Sequence, residues 1–266
     1  MERIQKLLAH HGIGSRRQID LWLQQGRIKV NGRVAKPGDQ IDGSEKVALD
    51  DKPVRLGRHQ IKPKVLMYHK PVGRVCSRGD PEGRPDVFAQ LPRLQQGRWI
   101  GIGRLDINTS GLLLFTNHGE LANRMMHPSF ELEREYAVRV RGQISADTLQ
   151  TLQQGVDLED GPAAFERIVD GGGQGSNHWY HVVLREGRNR EVRRLWEAVG
   201  AEVSRLMRVR YHDFNLPKWL KPGKSRFLED DQVRRLFDKL DLDYPAKPDA
   251  SRAASRRPRK KHSRRR

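Results

Sequence analysis

The chain has 266 residues, and Lys and Arg outnumber Asp and Glu by 51 to 33, which gives a formal charge of +18 and a pI near 10.5. This length suffices for two domains, and so basic a protein usually faces a polyanion, nucleic acid before anionic membrane. A single cysteine, Cys76, excludes an intramolecular disulfide and a multi-cysteine metal site. No uninterrupted apolar stretch is long enough for a membrane-spanning helix. The N-terminus also lacks the apolar core of a secretory signal, so we expect a cytoplasmic protein.

The first 60 residues predict two helices followed by a β-hairpin. A second helix is expected after Ser15, whose spacing to Gln18 is that of a capping box. The Asn31-Gly32 pair between two valines is a strong signal for a two-residue hairpin turn. Basic side chains crowd the polar side of this unit: Arg16, Arg17, Arg27, Lys29 and Arg33.

This order of elements, with the segments GSRRQID and GRIKVNGR, resembles the S4 RNA-binding domain of ribosomal proteins and RNA-modifying enzymes. The resemblance covers residues 2–60 and implies a domain over residues 1–60. It also implies contacts to RNA from Arg16, Arg17, Lys29 and Arg33. The alternative is a generic small α+β unit with a solvated basic face.

A second domain is predicted over residues 61–240. The polar, proline-bearing stretch at 50–64 reads as a linker, and short strand-like segments follow from Val65. Helical patterns are fewer and fall near residues 119–126, 145–153 and 190–199. We therefore expect an α+β domain on an antiparallel or mixed sheet. The glycine-rich stretch 170–177 lacks the Lys-Ser/Thr of a phosphate loop and predicts a flexible turn between strands.

The last segment, residues 241–266, has no apolar periodicity. From Arg252 onward it holds nine Lys or Arg and no acidic residue. Such a block buries too little apolar surface to fold, so it predicts a disordered cationic tail. The tail would attract phosphate without regard to sequence; the alternative is a solubilising end.

The segment GRLDINTSGLLLFTN, residues 103–117, places Asp106 between two expected strands. Asn108, Thr109, Ser110 and Gly111 are expected to form the turn, and on this pattern alone Asp106 reads as a turn residue. Arg193 lies within the apolar stripe of a predicted helix, where a cation needs a carboxylate partner. Asp106 is a candidate for that partner.

Three separated segments carry a family resemblance: GRLDINTSGLLLFTNHGELANRMMHP, REYAVRV and EGRNREVRRLWEAVG. Together they resemble the group of ribosomal-RNA pseudouridine synthases that includes type A of the small ribosomal subunit and types B, E and F of the large one, with type B nearest. The resemblance covers residues 2 to about 235. It implies that the chain isomerises a uridine of large-subunit (23S) ribosomal RNA, free or in an assembly intermediate, without cofactor or metal.

The resemblance also implies roles for individual residues. Asp106 would be the catalytic carboxylate, Tyr136 would lie against the target base, and Arg193 would pair with Asp106. Whether the carboxylate attacks C1′ or removes a neighbouring sugar proton stays open. Arg104 would fill the space vacated by the flipped base or contact phosphate. RNA contacts in this domain are thus expected from Arg104, Arg188 and Arg190.

Two other functions remain open at the level of sequence. A non-catalytic RNA-binding assembly factor would use the first domain and the tail, with Asp106 as a turn residue. A DNA-binding regulator is suggested by net charge alone. Nothing in the sequence demands more than a monomer.

Overall fold

The computed structural model of the protein describes residues 1–54, 56 and 61–245. The predicted cationic tail from Arg252 and most of the stretch just before residue 61 lie outside the described residues. Two units divide the described chain, one built on Met1–Lys62 and one on Pro63–Leu242. The predicted domain boundary near residue 60 lies beside this division.

The first unit contains the predicted helices and hairpin. Ser15 accepts a hydrogen bond from Gln18 N at 3.1 Å, so the predicted helix cap is confirmed. Asn31 and Gly32 both adopt positive φ, as a two-residue hairpin turn requires. The elements are β1 (Glu2–Arg3), α1 (Ile4–His10), α2 (Arg16–Gln24), β2 (Ile28–Val30), β3 (Arg33–Val34), β4 (Gln40–Ile41), β5 (Val47–Leu49) and β6 (Lys52–Val54).

Four of these strands form an antiparallel sheet in the order β3-β2-β5-β6, and β1 pairs with β4. The core beneath includes Ile4, Leu8, Ile19 and Ile28, each at most 1% exposed. Strand β6 corrects the sequence analysis, which assigned its residues to the linker. Pairing with β5 outweighs the proline signal because Pro53 occupies an edge strand, where a missing N–H is tolerated.

The second unit is a mixed sheet with helices. Its strands are β7 (Val65–Lys70), β8 (Ile100–Ile102), β9 (Ser110–Thr116), β10 (Arg134–Arg141), β11 (Val156–Leu158), β12 (Gly161–Ala163), β13 (Arg167–Gln174), β14 (Asn177–Leu184), β15 (Val203–Tyr211), β16 (Phe214–Asn215) and β17 (Ser225–Phe227). Its helices are α3 (Gly119–Met126), α4 (Ala146–Gln154), α5 (Glu191–Ala198) and α6 (Asp230–Lys239), with short 3₁₀ turns at Phe88–Gln90 and Pro128–Phe130.

The large sheet runs in the order β13-β14-β10-β15-β9-β7-β17, and β8 and β16 pair with β9 and β15. Strand β9 runs parallel to β15, whereas the other named strand pairs of this sheet are antiparallel. The prediction of an α+β chain on a mixed sheet is therefore confirmed. No helix in the described part of the chain is both long and apolar enough to cross a membrane.

Two segments differ from the sequence analysis. The glycine-rich stretch extends strand β13 as far as Gln174, so only its end is a turn. Glycine at position 173 allows this close pairing, because a Cβ there would lie only 2.7 Å from the Cα of His178. Helix α6 was not predicted, although the capping box between Glu229 and Gln232 and the acidic Asp230 and Asp231 in its first turn are signals of a helix start.

Two backbones approach each other closely where strand β9 meets strand β15. Gly111 pairs with Arg208, and a Cβ at Gly111 would lie 2.6 Å from Arg208 N and closer still to its carbonyl oxygen. Gly111 also has a φ of +109°, which L side chains rarely adopt. Glycine at this position therefore allows strand β9 to pair closely with strand β15.

Candidate active site

A cavity of about 1000 Å³ opens in the second unit. Its wall combines the turn before β9, strands β10 and β15, and the loop between β14 and α5. Five of the sequence-predicted residues line it: Arg104, Asp106, Tyr136, Arg188 and Arg190. The fold thus brings together side chains that are far apart in the sequence.

Asp106 begins the turn at the wall of this cavity. Thr109 N donates to Asp106 O at 3.0 Å, which closes a β-turn from Asp106 to Thr109. The predicted turn at 108–111 is thus shifted, because Ser110 and Gly111 already pair in β9. The Asp106 side chain is half-buried and faces the cavity.

Lys70 holds the backbone of this turn from inside the protein. The side chain is fully buried, and its ammonium donates to the carbonyls of Asp106 at 2.9 Å and Thr109 at 2.8 Å. Burial lowers the pKa of Lys70, while the nearby Cys76 and Asp106 oppose that shift. Lys70 lies at the end of the strand-like segment that begins at Val65, and nothing in the neighbouring sequence indicates that its side chain is buried.

Tyr136 and Arg208 lie directly opposite each other on β10 and β15. Opposite residues of an antiparallel pair project from the same face of the sheet, and both line the cavity. Arg208 is only 3% exposed; its Nε donates to Leu112 O at 2.8 Å, and its Nη2 has no hydrogen-bond partner. A buried guanidinium with a free donor is costly unless a ligand supplies an acceptor.

A second guanidinium lies near Arg208 across an aromatic ring. The guanidinium carbon of Arg208 lies 5.0 Å from the centroid of the Tyr211 ring, and the guanidinium carbon of Arg134 lies 5.1 Å from the same centroid. Arg134 also donates to Leu132 O at 2.7 Å and to Tyr211 Oη at 3.3 Å. Neither arginine forms an ion pair within 4.0 Å among the described residues, so this wall of the cavity is positively charged.

Arg193 lies behind the cavity wall, not on it. Its guanidinium donates to Val203 O and to Asn108 O, both at 3.1 Å. The expected direct ion pair with Asp106 is not among the contacts within 4.0 Å that the described residues make. Burial lowers the pKa of Arg193, Arg190 lowers it further, and Asp106 opposes the shift. Arg193 thus braces the Asp106 turn through the carbonyl of Asn108.

The other predicted arginines of this unit differ in how freely they could meet RNA. Arg104 is exposed beside Asp106. Arg190 is also exposed, with its guanidinium 3.6 Å from Glu197. Arg188 is already engaged, since it donates to Gly161 O at 3.1 Å, Pro162 O at 2.8 Å and Glu186 at 2.6 Å. Its contacts fix the loop between β14 and α5.

A second carboxylate of the cavity lining escaped the sequence analysis. Glu191, the first residue of α5, is 4% exposed and accepts a hydrogen bond from Arg188 N at 3.0 Å. Its other oxygen has no partner. Burial raises the pKa of Glu191, and Glu186 adds to this, whereas the Arg188 N–H and the charges of Arg188 and Arg194 oppose it. In the sequence, Glu191 resembles an ordinary acidic residue in the first turn of a helix, so it was not singled out.

The predicted RNA-binding residues of the first unit lie on its surface. Arg16 and Arg17 are exposed at the start of α2, and Arg33 is exposed in the hairpin. Lys29 is partly engaged, with its ammonium 2.6 Å from Asp51. Three of the four cations are thus open to solvent, as a phosphate-binding surface requires.

Comparison with protein families matches both units. A family described as RNA pseudouridylate synthase matches residues 64–198, and the S4 domain matches residues 2–56. The synthase match contains Asp106, Tyr136 and Arg193, and the S4 match contains the four predicted cations of the first unit.

Individual relatives are similar over most of the chain. A protein named ribosomal large subunit pseudouridine synthase B from Yersinia pestis is 56% identical over 245 residues, covering 91% of this chain and 77% of its own. A protein of the same name from Pseudomonas aeruginosa is 51% identical over 249 residues, covering 93% of this chain and 64% of its own. A crystal structure of a pseudouridylate synthase aligns with a TM-score of 0.61 at 25% identity, covering 89% of this chain and all of the other. The chain therefore belongs to the RNA pseudouridylate synthase family and carries an S4 domain ahead of its synthase domain.

Proposed function

We propose that this protein converts a uridine of large-subunit ribosomal RNA to pseudouridine, with Asp106 as the catalytic carboxylate. The observation that carries the proposal is the cavity that joins Asp106, Tyr136 and Arg208 in a chain of this family. The large-subunit substrate is supported by the names of the similar proteins from Yersinia pestis and Pseudomonas aeruginosa.

The reaction needs a carboxylate and no redox partner. It breaks the N1–C1′ bond of the uridine, turns the uracil and forms a C5–C1′ bond; C5 loses its proton and N1 gains one, so the product is an isomer of the substrate. The Asp106 carboxylate either attacks C1′ or removes a proton from the neighbouring sugar carbon. Both routes require an aimed carboxylate, and Lys70 and Arg193 hold the turn that aims it.

The opposite pair on β10 and β15 suits the detached base. Tyr136 offers an aromatic face to the uracil. When the N1–C1′ bond breaks, the uracil keeps the electron pair, and its negative charge is shared between N1 and the two carbonyl oxygens. The free donor of the buried Arg208 is suited to stabilise that charge.

The target nucleotide must leave its stack to reach Asp106. Arg104 is exposed beside the turn and carries a planar guanidinium that can stack in the space the base leaves. We expect the exposed Arg16, Arg17 and Arg33 of the S4 domain, and Arg190, to contact the phosphates around the target. A cytoplasmic, monomeric enzyme acting on RNA or an assembly intermediate remains our prediction.

The deciding experiment replaces Asp106 by Asn, which removes the charge and keeps the shape. The purified variant is assayed for tritium release from C5-labelled uridine in precursor large-subunit RNA. We expect no detectable release, whereas Asp147→Asn, an exposed acid in the first turn of α4, should release tritium at the wild-type rate.

Full release by Asp106→Asn would overturn the catalytic assignment and favour the RNA-binding assembly factor instead. Pseudouridine mapping in large-subunit RNA from cells with and without the protein tests the substrate. Loss of one pseudouridine in the deletion cells identifies the position, and an unchanged map would exclude large-subunit RNA as the target.

A further inference from the structure

The segment between β16 and β17 carries an exposed aromatic ring among cations. Trp219 is 59% exposed, and Lys218, Lys221 and Lys224 are exposed in the same segment. Residues 214–228 contain no Asp or Glu. None of the three lysines has an ion pair within 4.0 Å among the described residues. The segment is therefore an uncompensated patch of positive charge around an indole ring.

Hydrogen bonds hold this segment in one shape. Leu220 N donates to Pro217 O at 3.0 Å and Lys224 N to Lys221 O at 3.1 Å, so two tight turns follow each other. His69 of β7 fastens both turns, with its Nδ1 2.7 Å from Leu220 O and its backbone N–H donating to Lys224 O at 3.0 Å. The Leu220 side chain is buried at 3% exposure. Trp219 is thus presented by a braced loop.

The neighbours of Trp219 do not explain its exposure. The guanidinium carbon of Arg226 lies 5.6 Å from the centroid of the Trp219 ring, and Lys64 lies in the same way 5.3 Å from the ring of Phe227. Strand β17 is the edge of the large sheet, where lysines discourage pairing with other chains. Edge protection accounts for the lysines but gives no reason for a large exposed ring.

An exposed aromatic ring surrounded by cations is a combination with which proteins bind unpaired nucleotides, because a base stacks on the ring while the cations contact the phosphates. We propose that Trp219, with Lys218, Lys221 and Lys224, binds an unpaired nucleotide of the RNA substrate at a site outside the cavity lining. The inference rests on the proposed RNA substrate and does not rest on the chemistry at Asp106. Because stacking accepts any base, the site would add affinity for looped or single-stranded RNA with little sequence preference.

The first test measures binding of the full chain to a single-stranded oligouridylate and to duplex RNA of the same length. Trp219→Ala should weaken binding of the single strand by about fivefold to about a hundredfold, the range for one stacked base, and leave the duplex unaffected. Replacing Lys218, Lys221 and Lys224 by Gln should instead reduce the salt dependence of binding. Thermal midpoints check that each variant is folded.

The second test uses fluorescence, because stacking quenches an indole directly. The single strand should quench the wild type, and Trp219→Phe should remove most of that quenching while keeping most of the affinity. Trp179→Phe is the matched control, since Trp179 is half-buried on β14 with Arg139 5.9 Å from its ring. Its quenching should match the wild type.

Three results would overturn the proposal: equal weakening for single strand and duplex, unchanged affinity of Trp219→Ala, or quenching that persists in Trp219→Phe. Neither binding test measures turnover at Asp106. A failure here therefore leaves the tritium-release test of Asp106 standing, and a failure of that test leaves this binding site standing.

Discussion

The ammonium group of Lys70 donates to the backbone carbonyl of Asp106 at 2.9 Å, although the Lys70 side chain is fully buried. A charged donor that also bonds Thr109 O at 2.8 Å fixes both ends of the turn that carries the proposed catalytic carboxylate. Lys70 touches no reacting atom in this arrangement and acts as a positioning residue. Its effect on catalysis should therefore run through the geometry of Asp106.

Replacing Lys70 by Met should lower kcat by about a hundredfold, the effect of an ångström-scale misplacement of a reacting group. The buried carbonyls lose their donor, so the free energy of unfolding should also fall by about 1–3 kcal/mol. Tritium release at saturating RNA and a thermal melt measure the two effects. Lys239→Met, on the exposed end of α6, is the control and should change kcat little. Wild-type kcat in Lys70→Met would show that the turn holds itself.

Replacing Gly111 by Ala should lower the free energy of unfolding by at least about 3 kcal/mol. The added Cβ meets the backbone of Arg208 and the residue has a φ that favours glycine, so strain and clash add. Chemical denaturation measures the loss. Gly142→Ala is the matched control, because Gly142 has a φ of +78° but open space around its Cβ position. A similar loss in both variants would mean that backbone strain alone matters and that close packing of β9 on β15 does not.

Replacing Arg193 by Met should lower kcat more than it raises KM. The change removes the donor to Asn108 O and a cation near Asp106, so the carboxylate should be held less firmly in its reactive position. Steady-state kinetics give kcat and KM separately. Arg194→Met is the neighbouring control, since Arg194 pairs with Asp160 at 2.8 Å on a partly exposed surface and should cost at most about 1 kcal/mol of stability. A raised KM with unchanged kcat would instead identify Arg193 as an RNA clamp.

Replacing Glu191 by Gln should raise the free energy of unfolding more at neutral pH than at acidic pH. Burial raises the pKa of Glu191, so the folded state binds a proton that the unfolded state releases at its ordinary value of 4.5. As pH rises from 4.5 through the raised value, the wild type therefore loses stability.

Gln stays neutral and avoids that cost, and its carbonyl can still accept from Arg188 N. Thermal midpoints of wild type and Glu191→Gln, measured from pH 4 to pH 8, should therefore separate with rising pH. The exposed Glu202→Gln serves as a reference for an acid on the surface. A constant difference across this range would show that Glu191 is ionised equally in both states.

Much of the architecture could be predicted from local sequence. Helix α3 runs from Gly119 to Met126 as its apolar spacing indicates, and α4 runs from Ala146 to Gln154, within one residue of the predicted helical pattern at 145–153. The hairpin at Asn31 and the cap at Ser15 follow from the conformational preferences of those residues themselves. Asp106 and Tyr136 were singled out through motif resemblance, and the fold places both at one cavity.

The class of fold, the order of most helices and strands, and the family follow from the amino-acid sequence, because caps, turns, periodicity and motifs are properties of neighbouring residues. Lys70, Arg208 and Glu191 could not be singled out in this way, since a buried cation or acid looks in sequence like any solvated one. Their burial, and the indirect bracing of the Asp106 turn by Arg193, depend on how distant segments pack in the folded protein. Pairing of β9, β10 and β15 across long chain separations sets which side chains share the cavity, and no local signal encodes that register.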